Sequence, residues 1–269
     1  MVELRRELEI LYRAYNRRTY VHPDPLELVY RYDSPQDQEI AGLVSACLAY
    51  GRVAQILASV GRLLDPMGSP RTFLLRASAR EIRGLTRGFA HRFTTAAEAA
   101  ALLGAIQGVL RSHGTLERLF VDGLQPHEET ILPALTRFVE RLRALAGGAA
   151  RCASLLSSPD DGSACKRLNL YLRWMARRDA VDPGCWRGVP AAKLVVPLDT
   201  HLFRIAGKLG LTRRRQADLK TALEVTAGFR RLRPRDPVRY DFALTRFGIH
   251  PALRGHSVPM METLLKGTA

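Results

Sequence analysis

From Gln38 to Leu64 the apolar residues fall at steps of three and four: Ile40, Leu43, Val44, Cys47 and Leu48, then Ile56, Val60, Leu63 and Leu64. That spacing collects them on one side of a helix, whereas a half-buried strand would alternate at every residue. Gly51 divides the two halves, and Asp33-Ser34-Pro35-Gln36-Asp37 supplies turn and capping residues ahead of the first. Residues 95–113 and 127–146 show the same period, and Gly147-Gly148 closes the second. No window alternates convincingly over a strand length. The expected fold class is therefore all-α, with roughly ten helices. One helical unit over 1–269 is expected. Its approximate lobes are a helical bundle at 35–150 and a second segment at 151–250, with 1–34 and 251–269 packed on them as terminal extensions.

Net charge narrows the partners. The chain carries 41 basic and 26 acidic groups, a net +15, and residues 200–269 hold 14 of the former and 5 of the latter. A localised basic excess suits a polyanion, nucleic acid above all. Few of these residues are lysine, so an arginine-rich proteome accounts for the excess equally well. Arg213-Arg214-Arg215, Arg230-Arg231 and Arg233 are either phosphate contacts or a solvated face. No uninterrupted apolar run reaches the roughly 18 residues a membrane span needs. The acidic residues near Met1 argue against a secretory signal, so a cytoplasmic protein is expected. Cys47, Cys152, Cys165 and Cys185 form no C-x-x-C pair. They are expected to be small buried hydrophobes, with no metal, cofactor or disulfide.

Two loops deliver charged side chains to helix starts. Ser157-Ser158-Pro159-Asp160-Asp161-Gly162-Ser163 is dense in turn formers. Beyond it Leu168, Tyr171, Leu172 and Met175 recur at helical spacing, so a helix begins within a turn of Lys166. A second loop, rich in Pro and Gly, runs from about Asp179 to Pro197. Pro197 biases Val196 away from helix, which leaves Asp199 to cap a helix whose apolar face is Leu202, Ile205, Ala206 and Leu209. A lysine in a first turn is ordinarily solvated and an aspartate there ordinarily only a cap. Their local sequences together carry the signal.

Val196-Pro197-Leu198-Asp199-Thr200-His201-Leu202-Phe203-Arg204 resembles the V-D-T-H-x-x-R segment of helix-hairpin-helix DNA glycosylases of the endonuclease III type. Gly162-Ser163-Ala164-Cys165-Lys166 resembles the end of their G-x-G-x-K hairpin, and Leu43-Val44-Ser45-Ala46-Cys47 their L-L-S-A-Q helix. Tyr240 to Gly248 falls where their closing helix falls, so the resemblance covers roughly residues 35–250. Gly162 to Met175 also resembles a bacterial family of that superfamily known only by a domain-of-unknown-function label. There are three departures. Ala164 replaces the second hairpin glycine, and no iron–sulfur cysteines follow the closing helix. The gap from Lys166 to Asp199 is longer than in endonuclease III and closer to that of archaeal 8-oxoguanine glycosylases.

The resemblance implies a two-lobed glycosylase fold and a monomer acting on double-stranded DNA that contains a damaged base, in the cytoplasm at the nucleoid. An oxidised purine such as 8-oxoguanine is the candidate lesion. Asp199 would be the catalytic carboxylate, and Lys166 the nucleophile of an associated AP-lyase. Gly162, Ser163 and Ala164 would grip a phosphate. Leu170, one helical turn after Lys166, either lines a base pocket or packs in the core. His201 is either a phosphate or sugar contact or a structural histidine. Tyr50, Gly51 and Arg52 either wedge into the duplex or merely connect two helices. Lys193, in a second hairpin-like stretch, lies too close to Asp199 for a helix between them. The alternatives are a non-catalytic DNA-structure binder on the same scaffold, and a helical protein acting on RNA or another anionic ligand.

Overall fold

In the computed structural model, which describes residues 2–148, 152 and 154–253, helices start where the sequence places caps. Ser34 accepts the N–H of Asp37 with Pro35 in the first turn, and α2 (Pro35–Cys47) follows. Gly51, at a left-handed φ of 97°, breaks the chain before α3 (Val53–Leu64). Reciprocal Ser–Glu and Thr–Glu capping boxes begin α5 (Ala79–Leu85) and α6 (Ala96–His113). The other helices are α1 (Val2–Tyr15), α4 (Pro70–Arg76), α7 (Leu116–Asp122), α8 (Leu132–Leu145), α9 (Lys166–Ala176), α10 (Thr200–Lys208), α11 (Leu219–Leu232) and α12 (Asp241–Ile249). The protein is mostly helical, as its periodicity predicts.

Two local features differ from the sequence reading. The segment 127–146 begins its helix only at Leu132. Pro133 has no N–H to donate and fits a first turn, and the N–H of Ile131 instead bonds the carbonyl of Lys193 at 3.0 Å. A two-stranded hairpin, β1 (Ala90–His91) with β2 (Thr94–Thr95), pairs His91 with Thr94 and Ala90 with Thr95. Two residues per strand leave no alternation to detect. The expected C-terminal extension lies, beyond Leu253, outside the described residues.

α2 is the hub. It packs on a 3₁₀ stretch (Pro25–Arg31) and on α3, α4, α7 and α9. Its acidic residues fasten the neighbours. Asp37 accepts from the hydroxyl of Ser69 (3.0 Å) and the N–H of Arg71 (2.8 Å) at the start of α4. Glu39 accepts the N–H of Leu116 and Glu117 at the start of α7, and the indole of Trp186. A carboxylate on those unpaired N–H groups also opposes the positive end of the helix dipole. α6 gathers α4, α5, α7 and α8, while α12 packs on α1 and α10. One buried apolar cluster runs from Leu8 in α1 to Phe247 in α12. No helix among the described residues is long and apolar enough to cross a membrane.

Candidate active site

The loop before α9 is built to aim its first residue. Ser158 caps a 3₁₀ turn at Pro159–Asp161, which closes on Gly162 at φ 72°. Arg143 of α8 holds this turn through Asp161 (2.5 Å) and the carbonyl of Leu156 (2.9 Å). The hydroxyl of Ser163 accepts the N–H of Cys165 (3.1 Å), and the side chain of Asn169 reaches back to the carbonyl of Ala164 (3.0 Å). The second left-handed residue is Cys165 (φ 47°), not Ala164. That placement asks no left-handed backbone of Ala164. The Cys165 side chain accepts none of the first-turn N–H groups of α9, which leaves them open to another acceptor.

Asp199 arrives by an extended segment. The N–H of Val196 bonds the hydroxyl of Thr226 (3.1 Å), and Val195 to Leu198 are buried. Asp199 is the N-cap of α10: one carboxylate oxygen accepts the N–H of Leu202 at 2.7 Å. The other, Oδ2, stands 3.8 Å from Lys166 Nζ, with the lysine side chain 41% exposed and the aspartate 13%. At that separation the two attract as an ion pair without a hydrogen bond between them. Lys193 is occupied elsewhere, donating to the carbonyls of Gln125 (3.0 Å) and Pro126 (2.9 Å).

Lys166 and Asp199 both line a cavity of about 510 Å³, within the usual size range of small-ligand sites. Leu170, Tyr50, Gly51 and His201 line it too. His201 is half-buried with its ring hard against Gly248 of α12: a Cβ there would lie 2.1 Å from Nδ1. Tyr50 is fixed rather than free. Its hydroxyl meets the carbonyl of His91 (2.9 Å) and the hydroxyl of Thr94 (2.5 Å), and Arg167 stacks over its ring. Arg52 is exposed at the start of α3, and Gly162 is exposed with open space around its Cα.

The sequence reading missed the cavity's charged floor. Arg173, one face of α9 deeper than Lys166 and Leu170, pairs with Asp241 of α12 and with Asp182 (3.2 Å). Arg246 pairs with Asp24 at 2.8 Å. Burial pushes the Asp241 carboxyl up to about 6, with Arg173 opposing and the charge of Asp199 adding to the rise. Burial also works against the charge of Arg173, but Asp182, Asp241 and Asp24 outweigh it and hold the guanidinium above its usual range. Asp241 Oδ1 and Arg246 Nε are buried without a hydrogen-bond partner among the described residues. Only the run of helical spacing from Lys166 through Leu170 to Arg173 and Arg177 hints at this floor in the sequence.

A family model described as a protein of unknown function, DUF2400, matches residues 24–250. The chain belongs to the DUF2400 family. No curated protein and no solved structure matches it. The DUF2400 match takes in Tyr50, Lys166, Asp199 and Asp241, and leaves α1 outside. Thiol chemistry is disfavoured at this DUF2400 site: burial pushes the nearby Cys165 up to about 11 and Cys47 up to about 12. No group of three or more His, Cys, Asp or Glu among the described residues is placed to hold a metal ion.

Proposed function

We propose that this protein is a DNA-repair glycosylase of the helix-hairpin-helix superfamily, excising a damaged base from duplex DNA with an associated AP-lyase step. One observation carries the reading: a lysine and an aspartate 33 residues apart in sequence meet at 3.8 Å on the wall of one cavity. Each comes from a helix start whose sequence resembles the corresponding segment of those enzymes.

The chemistry uses both groups. Breaking the glycosidic bond builds positive charge on the sugar, and the Asp199 carboxylate stabilises it. Once its ammonium proton has passed to solvent, the amine of Lys166 forms a bond to C1′ while the glycosidic electron pair leaves with the base, which takes a proton. Nζ gives up a proton, for which Asp199 is the adjacent acceptor. Opening of the C1′–O4′ bond, with O4′ protonated, leaves a protonated imine. Loss of a C2′ proton then expels the 3′-phosphate and cuts the strand. A base inside a duplex cannot reach the cavity, so the nucleotide leaves the stack first. The open first-turn N–H groups of α9, approached past Gly162, Ser163 and Ala164, suit a backbone phosphate. Leu170 and the Asp241–Arg173 floor would face the base, with an oxidised purine such as 8-oxoguanine the first lesion to try. The same reading takes the protein to act as a monomer in the cytoplasm, at the nucleoid.

The test is a panel of single-lesion duplexes incubated with the protein and borohydride, which reduces an imine to a permanent amine. A covalent complex with one lesion, absent for Lys166→Gln, is expected. If no lesion is released and no complex forms, the enzymatic reading is overturned. DNA binding that Lys166→Ala and Asp199→Asn leave untouched would then point to a non-catalytic binder.

A further inference from the structure

Among the chain's Trp, Tyr and Phe side chains, Phe93 alone is exposed, at 77%. Leaving a phenyl ring in water forgoes the burial that drives folding. Its position is equally unusual. Phe93 and Arg92 form the two-residue tip between β1 and β2, and Arg92 sits at φ 52°. Tight hairpins of this length favour Asn-Gly or similar pairs, because left-handed backbone strains other residues. A large cation and an aromatic ring stand where the turn itself asks for neither. Broken local rules of this kind mark functional positions.

The tip is held at the cavity's lip. His91 bonds Ser59 (2.9 Å) and the carbonyl of Tyr50 (3.0 Å), and Tyr50 bonds back to both strands through His91 and Thr94. The Arg92 side chain lies on Gly51, where a Cβ would come within 2.8 Å of its Cδ. Tyr50 and Gly51 themselves line the cavity that holds Lys166 and Asp199. An exposed ring is thus mounted on a braced hairpin beside the opening, with the Arg92 guanidinium 5.4 Å from its centre and the exposed Arg52 following Gly51 in the chain.

We propose that Phe93 is a base-stacking residue: when a nucleotide enters the cavity, its ring occupies the gap left in the DNA stack, while Arg92 and Arg52 meet flanking phosphates. This rests on the glycosylase reading for its ligand, duplex DNA with a displaced nucleotide, and moves the intercalating role from Tyr50 to the hairpin tip. An aromatic face stacks on any base, so the contact is insensitive to sequence.

The test uses the full chain, with binding and stacking as readouts independent of base release. Wild type, Phe93→Ala and Phe93→Trp are titrated with an undamaged duplex and with one containing a tetrahydrofuran abasic analogue. Wild type should prefer the abasic analogue, Phe93→Ala should lose about tenfold of that preference, and Phe93→Trp should keep it. The two native tryptophans are buried, so quenching of Phe93→Trp emission on the abasic duplex reports stacking at the tip. Equal preference for wild type and Phe93→Ala, or emission unmoved at saturation, overturns the proposal. Quenching without release of any lesion by any variant would sink the enzymatic reading and leave the stacking role standing. Absence of DNA binding would sink both.

Discussion

Asp199→Asn separates the cap this side chain provides from the charge the proposed chemistry asks of it. As N-cap it needs only an oxygen to accept the N–H of Leu202, and asparagine caps as well as aspartate. As the proposed partner of a developing cation it would need its charge. A unit positive charge as near to Oδ2 as Lys166 Nζ stands, 3.8 Å, would at an effective dielectric constant of about 20 be stabilised by about 4 kcal/mol. Each 1.4 kcal/mol or so is a factor of ten in rate. The sugar carries only part of a unit charge in the transition state, so the expected fall in base release is about 10²–10³. The stability loss should be small, a few tenths of a kcal/mol from the dipole of α10. Asp199→Ala loses the cap as well, about 1 kcal/mol more, or roughly 2–4 °C in Tm for a chain of this size. Single-turnover release from the preferred lesion duplex, with thermal melts of all three proteins, reads both effects. If Asp199→Asn keeps activity within threefold of wild type, the electrostatic role is refuted. If it melts as low as Asp199→Ala, the capping account is wrong and lost activity reports misfolding.

The remaining perturbations probe other links. Lys166→Gln should abolish borohydride trapping and strand scission and slow base release, with water taking the place of the amine at C1′ beside Asp199, which denaturing gels with and without alkali distinguish. Asp182→Asn should cost about 3–5 kcal/mol in urea titrations, because Asp182 is fully buried between Arg173 (3.2 Å) and Arg177 (2.7 Å) and removing one member leaves buried charge unpaired. Glu9→Gln should remove part of the acid sensitivity. Burial alone would raise Glu9, but hydrogen bonds from Tyr240, Arg239 and Arg233 hold it at about 2, below its usual 4.5. Its stabilising share is therefore present above about pH 4.5 and lost as pH falls toward 2, and solvent screening limits it to about 1 kcal/mol. Gly248→Ala should destabilise by about 1–3 kcal/mol, since the new methyl would collide with the His201 ring at 2.1 Å, and melting checks it.

What the sequence revealed, and what it hid, divides by range. Helix spacing, the break at Gly51, and the placing of Lys166 and Asp199 at helix starts all rest on signals within a few residues: periodicity, caps and prolines. The same reasoning set Lys193 aside by a length argument, and the structure supplies the reason it is unavailable, two carbonyls that hold its amine. The start of α8 was misplaced because apolar spacing runs past Pro133 while backbone chemistry does not. The hairpin at Ala90–Thr95 was invisible because two-residue strands have no period. The cavity floor was hidden for a different reason. Arg173 and Asp241 are 68 positions apart, and nothing local marks an arginine as buried when such residues ordinarily lie in water.

That floor explains why the lysine points where it does. Lys166, Leu170 and Arg173 follow one another at four and three residues along α9, and Arg177, four further on, caps its end with its N–H on the carbonyl of Arg173, so they lie along one face of the helix. In an ordinary buried helix the inner positions of such a face would be leucines, and leucines tolerate a small rotation or slip by repacking. Arg173 and Arg177 do not. Between them they engage Asp182, Asp241, Asp179 and Asp236, and a rotation of about 100°, one residue's worth, would strand buried charges on both sides. Such networks seldom add net stability over an apolar core of equal volume. What this one contributes is a fixed azimuth for α9. With the deep end of the stripe pinned by carboxylates from α12 and the loop after α9, the shallow end delivers Lys166 to Asp199 on α10. The outer end of the stripe owes its aim to charges buried at the other.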